Sequence, residues 1–339
     1  MAERILNIGL IGAGRMGNLH AENLARRIPR ARLHSVADVN EQAARLCASL
    51  YGECDCVSDP LQMLDDPQLD AVVLCSATNT HSQIIQDVAR AGKHIFCEKP
   101  IALNLPDTDA ALAAVQRAGV KLQLGFNRRF DATFRRVYDA RASGEIGEPH
   151  LLHIISRDPA PPPLAYVKTS GGIFLDMTIH DFDMARYLVG AEVEQVYARA
   201  NVLIDSRIGE AGDYDTAMVM LTFANGALGT IENSRQAVYG YDQRVELLGS
   251  RGGVSTENHY PNEVTISHGQ FVQRDLPLNF FLERYTTSYL QEMNAFVNAI
   301  LNDTPVPVSG DDGRMALVLG LAAKKSVAEN RPVRVNEIA

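Results

Sequence analysis

Gly12-Ala13-Gly14-Arg15-Met16-Gly17 follows directly on an apolar run at 8–11 and opens a helical stretch at 18–27. No other feature constrains the chain as much. Between a strand and a helix, the first glycine permits a tight turn, the second lets the backbone approach a pyrophosphate, and the third allows helix and strand to pack closely. The helix N-terminus then offers N–H groups and a positive dipole end to the phosphates. The runs 33–37, 71–75, 94–97 and 120–125 are short and apolar throughout, as parallel strands covered on both faces are. Helical stretches at 41–49, 81–91 and 107–118 separate them. Repeated strand–helix–strand units predict a doubly wound α/β Rossmann domain over residues 1–126.

At 339 residues the chain has room for a second domain, and the pattern changes after residue 126. A helix at about 130–142, a strand at about 149–157 and a proline-rich loop at 158–163 come first. A helix at about 173–188 follows, then successive β runs from 193 to 276, then helices at about 283–301 and 310–329. Runs of strands with few helices predict an α+β domain over 127–339 with a large, mainly antiparallel, open-faced sheet. Alternating residues such as Met218, Met220 and Thr222, or their opposite-parity neighbours, would leave one face of that sheet in need of a cover.

Composition excludes several classes of function. A net charge of −9, from 32 basic and 41 acidic residues, argues against a nucleic-acid partner. No apolar run approaches the roughly 18–20 residues that span a bilayer, and the N-terminus enters a strand pattern without a signal-peptide layout. Cys47, Cys54, Cys56, Cys75 and Cys97 are an odd set, which reads as free thiols in a reducing cytoplasm. Cys54 and Cys56 lack a second pair at metal-ligand spacing, so no metal site is expected.

The cofactor residues follow from the strand ends. Asp38 closes the second apolar run, 21 residues after Gly17, where a carboxylate can accept hydrogen bonds from ribose hydroxyls. Val39 and Asn40 follow it rather than a cation, so NAD is expected in preference to NADP. Ser76, Asn79 and His81 lie just beyond the run ending at Cys75, a position suited to cofactor contact. Asn79 and Thr80 can equally cap a helix starting near His81. Glu98-Lys99-Pro100 ends the run at 94–97, either as an ordinary turn or as the group near the nicotinamide. Before Pro100 a cis peptide bond costs only about 0.5–1 kcal/mol over trans.

Asp176 and His180 are four residues apart and share a face if the segment is helical. Such a pair is either a structural hydrogen bond or a general base whose carboxylate orients and stabilises the imidazole. Asp183 as a further ligand would suggest a metal, but no neighbouring His or Cys supports that.

Taken with the glycine turn and Glu98-Lys99-Pro100, the segments Gly125-Phe-Asn-Arg-Arg-Phe-Asp131 and Gly171-Gly172-x(3)-Asp176-x(3)-His180 resemble the Gfo/Idh/MocA oxidoreductases across essentially the whole chain. Within that family, segments 156–163 and 179–187 are most similar to inositol dehydrogenases. The resemblance implies NAD-linked oxidation of a cyclic polyol, myo-inositol to its 2-keto product. The alternatives are scyllo-inositol, an aldose, an anhydrosugar, or a dinucleotide sensor without turnover. It also implies that His180 takes the hydroxyl proton, that Asp176 supports it, and that Lys99 holds the reacting oxygen, aimed into the cleft by a cis Lys99–Pro100 bond. Asn127, Arg157, Asp158 and Tyr239 are further substrate candidates, and Tyr285 is either a cofactor neighbour or a core residue. Gly12, Gly14, Arg15, Met16, Asp38, Ser76, Asn79, His81, Glu98 and Lys99 are the cofactor candidates. A homotetramer paired through the open sheet is the implied assembly.

Overall fold

The computed structural model describes residues 4–51 and 54–338, in two compact units. One comprises Met1–Asn127 with Thr287–Leu317, the other Arg128–Thr286 with Val318–Ala339.

In the first unit, β1 (Leu6–Ile11), β2 (Ala31–Ala37), β3 (Asp55–Val57), β4 (Ala71–Leu74), β5 (His94–Cys97) and β6 (Leu122–Leu124) form a parallel sheet in the order β3-β2-β1-β4-β5-β6. Connections run through α1 (Arg15–Arg26), α2 (Glu41–Tyr51), α3 (Pro60–Leu64), α4 (Thr78–Arg90) and α5 (Leu105–Ala118). Leu6, Ile8 and Leu10 are wholly buried, which is why this strand reads as a continuous apolar run. Asn104 caps α5 by accepting from the Asp107 N–H, and Gly119 ends it at φ 66°. The chain leaves β1 toward β2 on one side and later returns to β4 on the other. That reversal opens a crevice at the carboxyl ends of β1 and β4. The sequence reading did not include β3 and α3. The strand is only three residues long and half-exposed, too short and too polar to show as an apolar run.

The second unit contains α6 (Ala132–Ala142), β7 (Pro149–Arg157), α7 (Leu164–Val167), α8 (Ile173–Asp176), α9 (Thr178–Val189), β8 (Val193–Asn201) and α10 (Ser206–Glu210). It continues with β9 (Thr216–Phe223), β10 (Leu228–Ser234), β11 (Asp242–Gly249), β12 (Gly252–Ser255), the hairpin β13 (Thr265–Ser267) and β14 (Val272–Arg274), and α11 (Phe281–Arg284). After α12 (Thr286–Leu301) and α13 (Gly310–Glu329), β15 (Val333–Arg334) closes a seven-stranded sheet ordered β12-β11-β7-β10-β9-β8-β15. Every pairing is antiparallel except β7 with β10. On β9, Ala217, Val219, Leu221 and Phe223 are buried, while Met218 and Met220 are each 57% exposed. The helix α9 packs against β7 and β10.

Three local expectations change. The single helix at 173–188 is broken at Met177, which stands at φ −95° and ψ −61°; beside it the Thr178 hydroxyl lies 3.2 Å from the Ile173 carbonyl oxygen and 2.7 Å from Asn233 Oδ1. The helix expected at 283–301 is interrupted at Tyr285. A short helix, α10, sits inside the β-rich region, capped by the Asp205 carboxylate. The sequence reading also kept 127–339 together. Here Met293, Phe296, Val297 and Ile300 of α12 join Leu6, Ile8, Leu10, Val73 and Phe96 in the core of the first unit.

Phe296 is wholly buried there. Phe296→Ala should therefore destabilise the protein by about 3–5 kcal/mol, the usual cost of removing a core phenylalanine. Urea unfolding followed by circular dichroism measures this, and an unchanged midpoint would show that α12 contributes little to that core.

Candidate active site

Gly12 stands at φ 96°, and a β-carbon there would lie 2.6 Å from the Cys75 carbonyl and the Ser76 nitrogen. Gly14 opens α1 with no side-chain cap, and a β-carbon on it would meet nothing within 4 Å. The first-turn N–H groups of α1 thus keep their capacity for an anion, beside open space that a pyrophosphate can fill. Arg15 is exposed and Met16 half-buried at this turn. Asp38 Oδ2 accepts from the Ala13 N–H and Oδ1 from the Asn40 N–H, each at 2.7 Å. Each carboxylate oxygen keeps a second lone pair for a ribose hydroxyl. Val39 beside it is 94% exposed and offers no cation. These features fit a dinucleotide.

Beyond β4, the structure alters two expectations. The helix α4 begins at Thr78, so Asn79 and Thr80 lie within its first turn rather than capping it, and Asn79 is exposed. The Thr80 hydroxyl instead reaches Ser76 Oγ and the Ala77 carbonyl, both at 2.7 Å. His81 is buried, with Nδ1 2.8 Å from the Pro100 carbonyl oxygen and Nε2 3.0 Å from that of Ser76. Burial holds its pKa below the ordinary histidine value, against the pull of those two carbonyls. His81 therefore ties the loop after β4 to the loop after β5, where a cofactor contact had been expected. The Lys99–Pro100 bond is cis, as expected. Lys99 is half-buried, and Glu98 is buried with Oε1 2.9 Å from His20 Nε2. Asn127 is also buried, and its side-chain nitrogen has no hydrogen-bond partner within the chain.

In the second unit, Gly171 and Gly172 adopt φ 90° and 83° and lead into α8. A β-carbon on Gly172 would lie 2.6 Å from Asp213 Oδ1, the oxygen that accepts from the Ile173 N–H at 2.9 Å. From Ile173 to Ala185 every residue is buried except Asp176 and His180. The break at Met177 lies between them, yet both keep the same partial exposure. Asp176 Oδ1 accepts from the Tyr166 hydroxyl at 2.7 Å, and Oδ2 lies 3.5 Å from Arg235 Nη1. Arg235 is 1% exposed and also pairs with Asp213 at 3.3 Å. Removal from bulk water and the charge of Asp176 lift the Asp158 carboxyl to about 6.

Behind this surface lies a buried polar core. Arg128 donates to Asp181 Oδ1 at 2.5 Å, and Asn233 donates to Oδ2 at 2.8 Å. Arg129 pairs with Asp183, so Asp183 is an ion-pair partner. Arg157 and Tyr239 form a separate cluster: the guanidinium reaches Glu232, the Tyr239 hydroxyl and Asp242, and Tyr239 donates to Asp242 at 2.6 Å. Tyr285 is a core residue, buried beside Arg284, Arg128 and Tyr241. The sequence reading missed Tyr166, Asp213 and Arg235. No local motif marks them, because they reach Asp176 or its loop from separate segments. Gly172 was the available hint, since it needs a neighbour too close for a side chain.

The model of an oxidoreductase family with an NAD-binding Rossmann fold matches residues 6–126, and that of the GFO/IDH/MocA C-terminal domain matches residues 134–255. The chain is 51% identical to the myo-inositol 2-dehydrogenase of Thermotoga maritima over 98% of this chain and 99% of that protein. It is 47% identical to the inositol 2-dehydrogenase of Rhizobium meliloti, over 97% and 99%. The solved structure of scyllo-inositol dehydrogenase from Lactobacillus casei, with NAD(H) and scyllo-inositol bound, matches with a TM-score of 0.91. That match is at 31% identity and covers 98% of this chain and 100% of the other.

Asp38, followed by Val39 and Asn40 rather than a cation, would repel a 2′-phosphate, so NAD⁺ should support faster turnover than NADP⁺ at equal concentration. Asp38→Ala combined with Val39→Arg should narrow or reverse that ratio. Equal kcat/KM for the two cofactors in the unmodified protein would remove Asp38 from this role.

Proposed function

The chain belongs to the Gfo/Idh/MocA oxidoreductase family, and we propose that it oxidises a cyclic polyol, myo-inositol, to its 2-keto product. Its cofactor is NAD, which supplies the hydride acceptor when bound. The observation that carries the substrate reading is the pair Asp176 and His180, the only two positions left partly open in the buried stretch from Ile173 to Ala185. Support comes from the inositol dehydrogenases that resemble the chain over almost its whole length.

In this reading His180 removes the proton from the reacting hydroxyl. Asp176 holds negative charge near the imidazolium that results, and is itself oriented by Tyr166 and Arg235. Lys99 holds the reacting oxygen and favours alkoxide character. Asp158, with its carboxyl near 6, and the unpartnered amide nitrogen of Asn127 serve other hydroxyls. Arg157 and Tyr239 are already engaged by Glu232 and Asp242, so we assign them to shaping the end of the sheet. The first unit acts as the nucleotide-binding domain and the second as the catalytic and assembly domain.

We also propose that the open sheet face pairs with another copy of the chain, in a homotetramer. Cross-strand register aligns Leu248, Leu151, Leu228 and Thr222 in one row across that face, with Met218 and Met220 beside it. We place the enzyme in the cytoplasm, where its five free cysteines stay reduced. Among the described residues no helix is long and apolar enough to cross a membrane.

Reduced-cofactor absorbance over a panel of inositols and sugars tests the substrate. Turnover of linear hydroxy acids alone would overturn the assignment. His180→Ala should lower kcat by roughly 10²–10⁴-fold and leave NAD⁺ affinity unchanged. Asp176→Asn should slow turnover and move the acid limb of the pH–rate profile to lower pH, because the imidazolium loses a neighbouring negative charge. Near-normal turnover and an unchanged profile would make the pair structural. For the assembly, light scattering at micromolar concentration should give a tetramer mass, and a monomer mass would refute the pairing.

A further inference from the structure

The helix α1, the end of β5 and the helix α12 each send one ionisable side chain to the same interior point of the first unit. These are His20, Glu98 and Glu292. His20 and Glu292 are 0% exposed and Glu98 is 9% exposed. One nitrogen of His20 and one carboxyl oxygen from each glutamate lie within 4.8 Å of one another. Only one hydrogen bond joins them, His20 Nε2 to Glu98 Oε1 at 2.9 Å. Both carboxyl oxygens of Glu292 and Nδ1 of His20 are buried with no partner.

The surroundings are largely apolar. The His20 ring meets Phe96 edge-on at 5.1 Å and Tyr289 at 6.1 Å, and Phe296 lies 5.9 Å beyond Phe96. Burial pushes the thiols of Cys75, Cys97 and Cys47 up, so they stay neutral, and pushes His81 down. Lys99 is the next residue after Glu98. Gln123 Nε2 donates to the Glu292 carbonyl at 2.8 Å and fixes α12 at this height. A β-carbon on Gly125 would lie 3.0 Å from Glu98 Oε2, so the glycine leaves room for that carboxylate.

Two carboxyl groups sharing a dry site do not both ionise. His20 Nε2 stands where an N–H can donate to Glu98 Oε1, so of the two carboxyl groups Glu98 is the one with a partner for a negative charge. Glu292 has no donor to stabilise a charge, and an unpaired buried carboxylate is costly. Burial, and then the charge of Glu98, move the Glu292 carboxyl well above its ordinary range.

We infer that Glu292 is a protonated acid sharing its hydrogen with the Glu98 carboxylate, and that His20 and Glu292 together are positioning residues for the Glu98-Lys99-Pro100 turn. Glu98 is then held from two sides, and the backbone that carries Lys99 is held with it. The positioning half rests on the reading that Lys99 holds the reacting oxygen, whereas the protonation half does not. A cation in the same place would require both carboxylates ionised, and the experiment separates the two cases.

The full-length protein without cofactor, in D₂O at neutral pH, should show the infrared carbonyl band of a protonated carboxylic acid. Glu292→Gln should abolish that band. Glutamine keeps a neutral donor of the same shape, so its kcat should stay within about threefold of the parent, the scale of one neutral hydrogen bond. Glu292→Leu should lower kcat by about 10–100-fold through misplacement of Lys99, with NAD⁺ affinity unchanged. Should the leucine variant fail to fold, the band and the glutamine variant still decide the matter. Absence of the band, a stoichiometric metal in the purified protein that Glu292→Gln removes, or a glutamine variant with a kcat loss of 10-fold or more would each overturn the inference. Normal turnover in Lys99→Met would instead sink the role of Lys99 and leave the infrared result standing.

Discussion

A β-carbon on residue 17 would sit 1.9 Å from the carbonyl oxygen of Gly12. The first strand and the first helix can therefore meet only over glycine, and much of the first unit follows from that contact. It sets α1 directly on the end of β1, the strand to which both β2 and β4 pair. Asp38 then returns to the Ala13 N–H at 2.7 Å, which joins that carboxylate to the glycine turn. The same close approach fixes the height of His20, one turn along α1, and so decides where Glu98 can be held.

The second unit is organised by a different interaction, charge buried in pairs. Arg128 with Asp181, Arg129 with Asp183, Arg284 with Asp131, and Arg235 with Asp176 and Asp213 are all largely removed from water. Breaking one side of such a pair strands the other, at a cost of several kcal/mol. Hydrophobic packing alone could have held α9 on β7 and β10. The paired charges specify its register instead, because Asp181 must meet both Arg128 and Asn233. That register leaves Asp176 and His180 on the open side of the segment.

The parts of this arrangement visible in the sequence are those written locally. Parallel strands buried on both faces appear as apolar runs, and the glycine turn, Asp38 and the Lys99–Pro100 bond lie where strand ends place them. The Asp176 and His180 spacing was visible, though the break at Met177 was not, since no glycine or proline in 173–180 marks it and the Thr178 partner Asn233 comes from a distant strand. The return of α12 to the first unit could not be read because an apolar stripe does not name the core it joins. Glu292 did leave a trace: it shares a helix face with Tyr289, Phe296 and Ile300, and an acid on such a face requires a partner or a proton.

Sheet parity links the proposed catalytic surface to the proposed assembly surface. On β7 and β10, Ser156 and Asn233 turn inward to the charged core around Asp181, while their neighbours Arg157 and Glu232 turn to the open face and pair there. Because side chains alternate strictly along a strand, a slip of one residue would exchange the two sets. Asp181 would lose Asn233, and unpaired charge would enter the core. The buried pairs thus hold the register that keeps Met218, Met220 and Leu228 outward, so the same ion pairs that orient α9 also set which residues form the apolar open face.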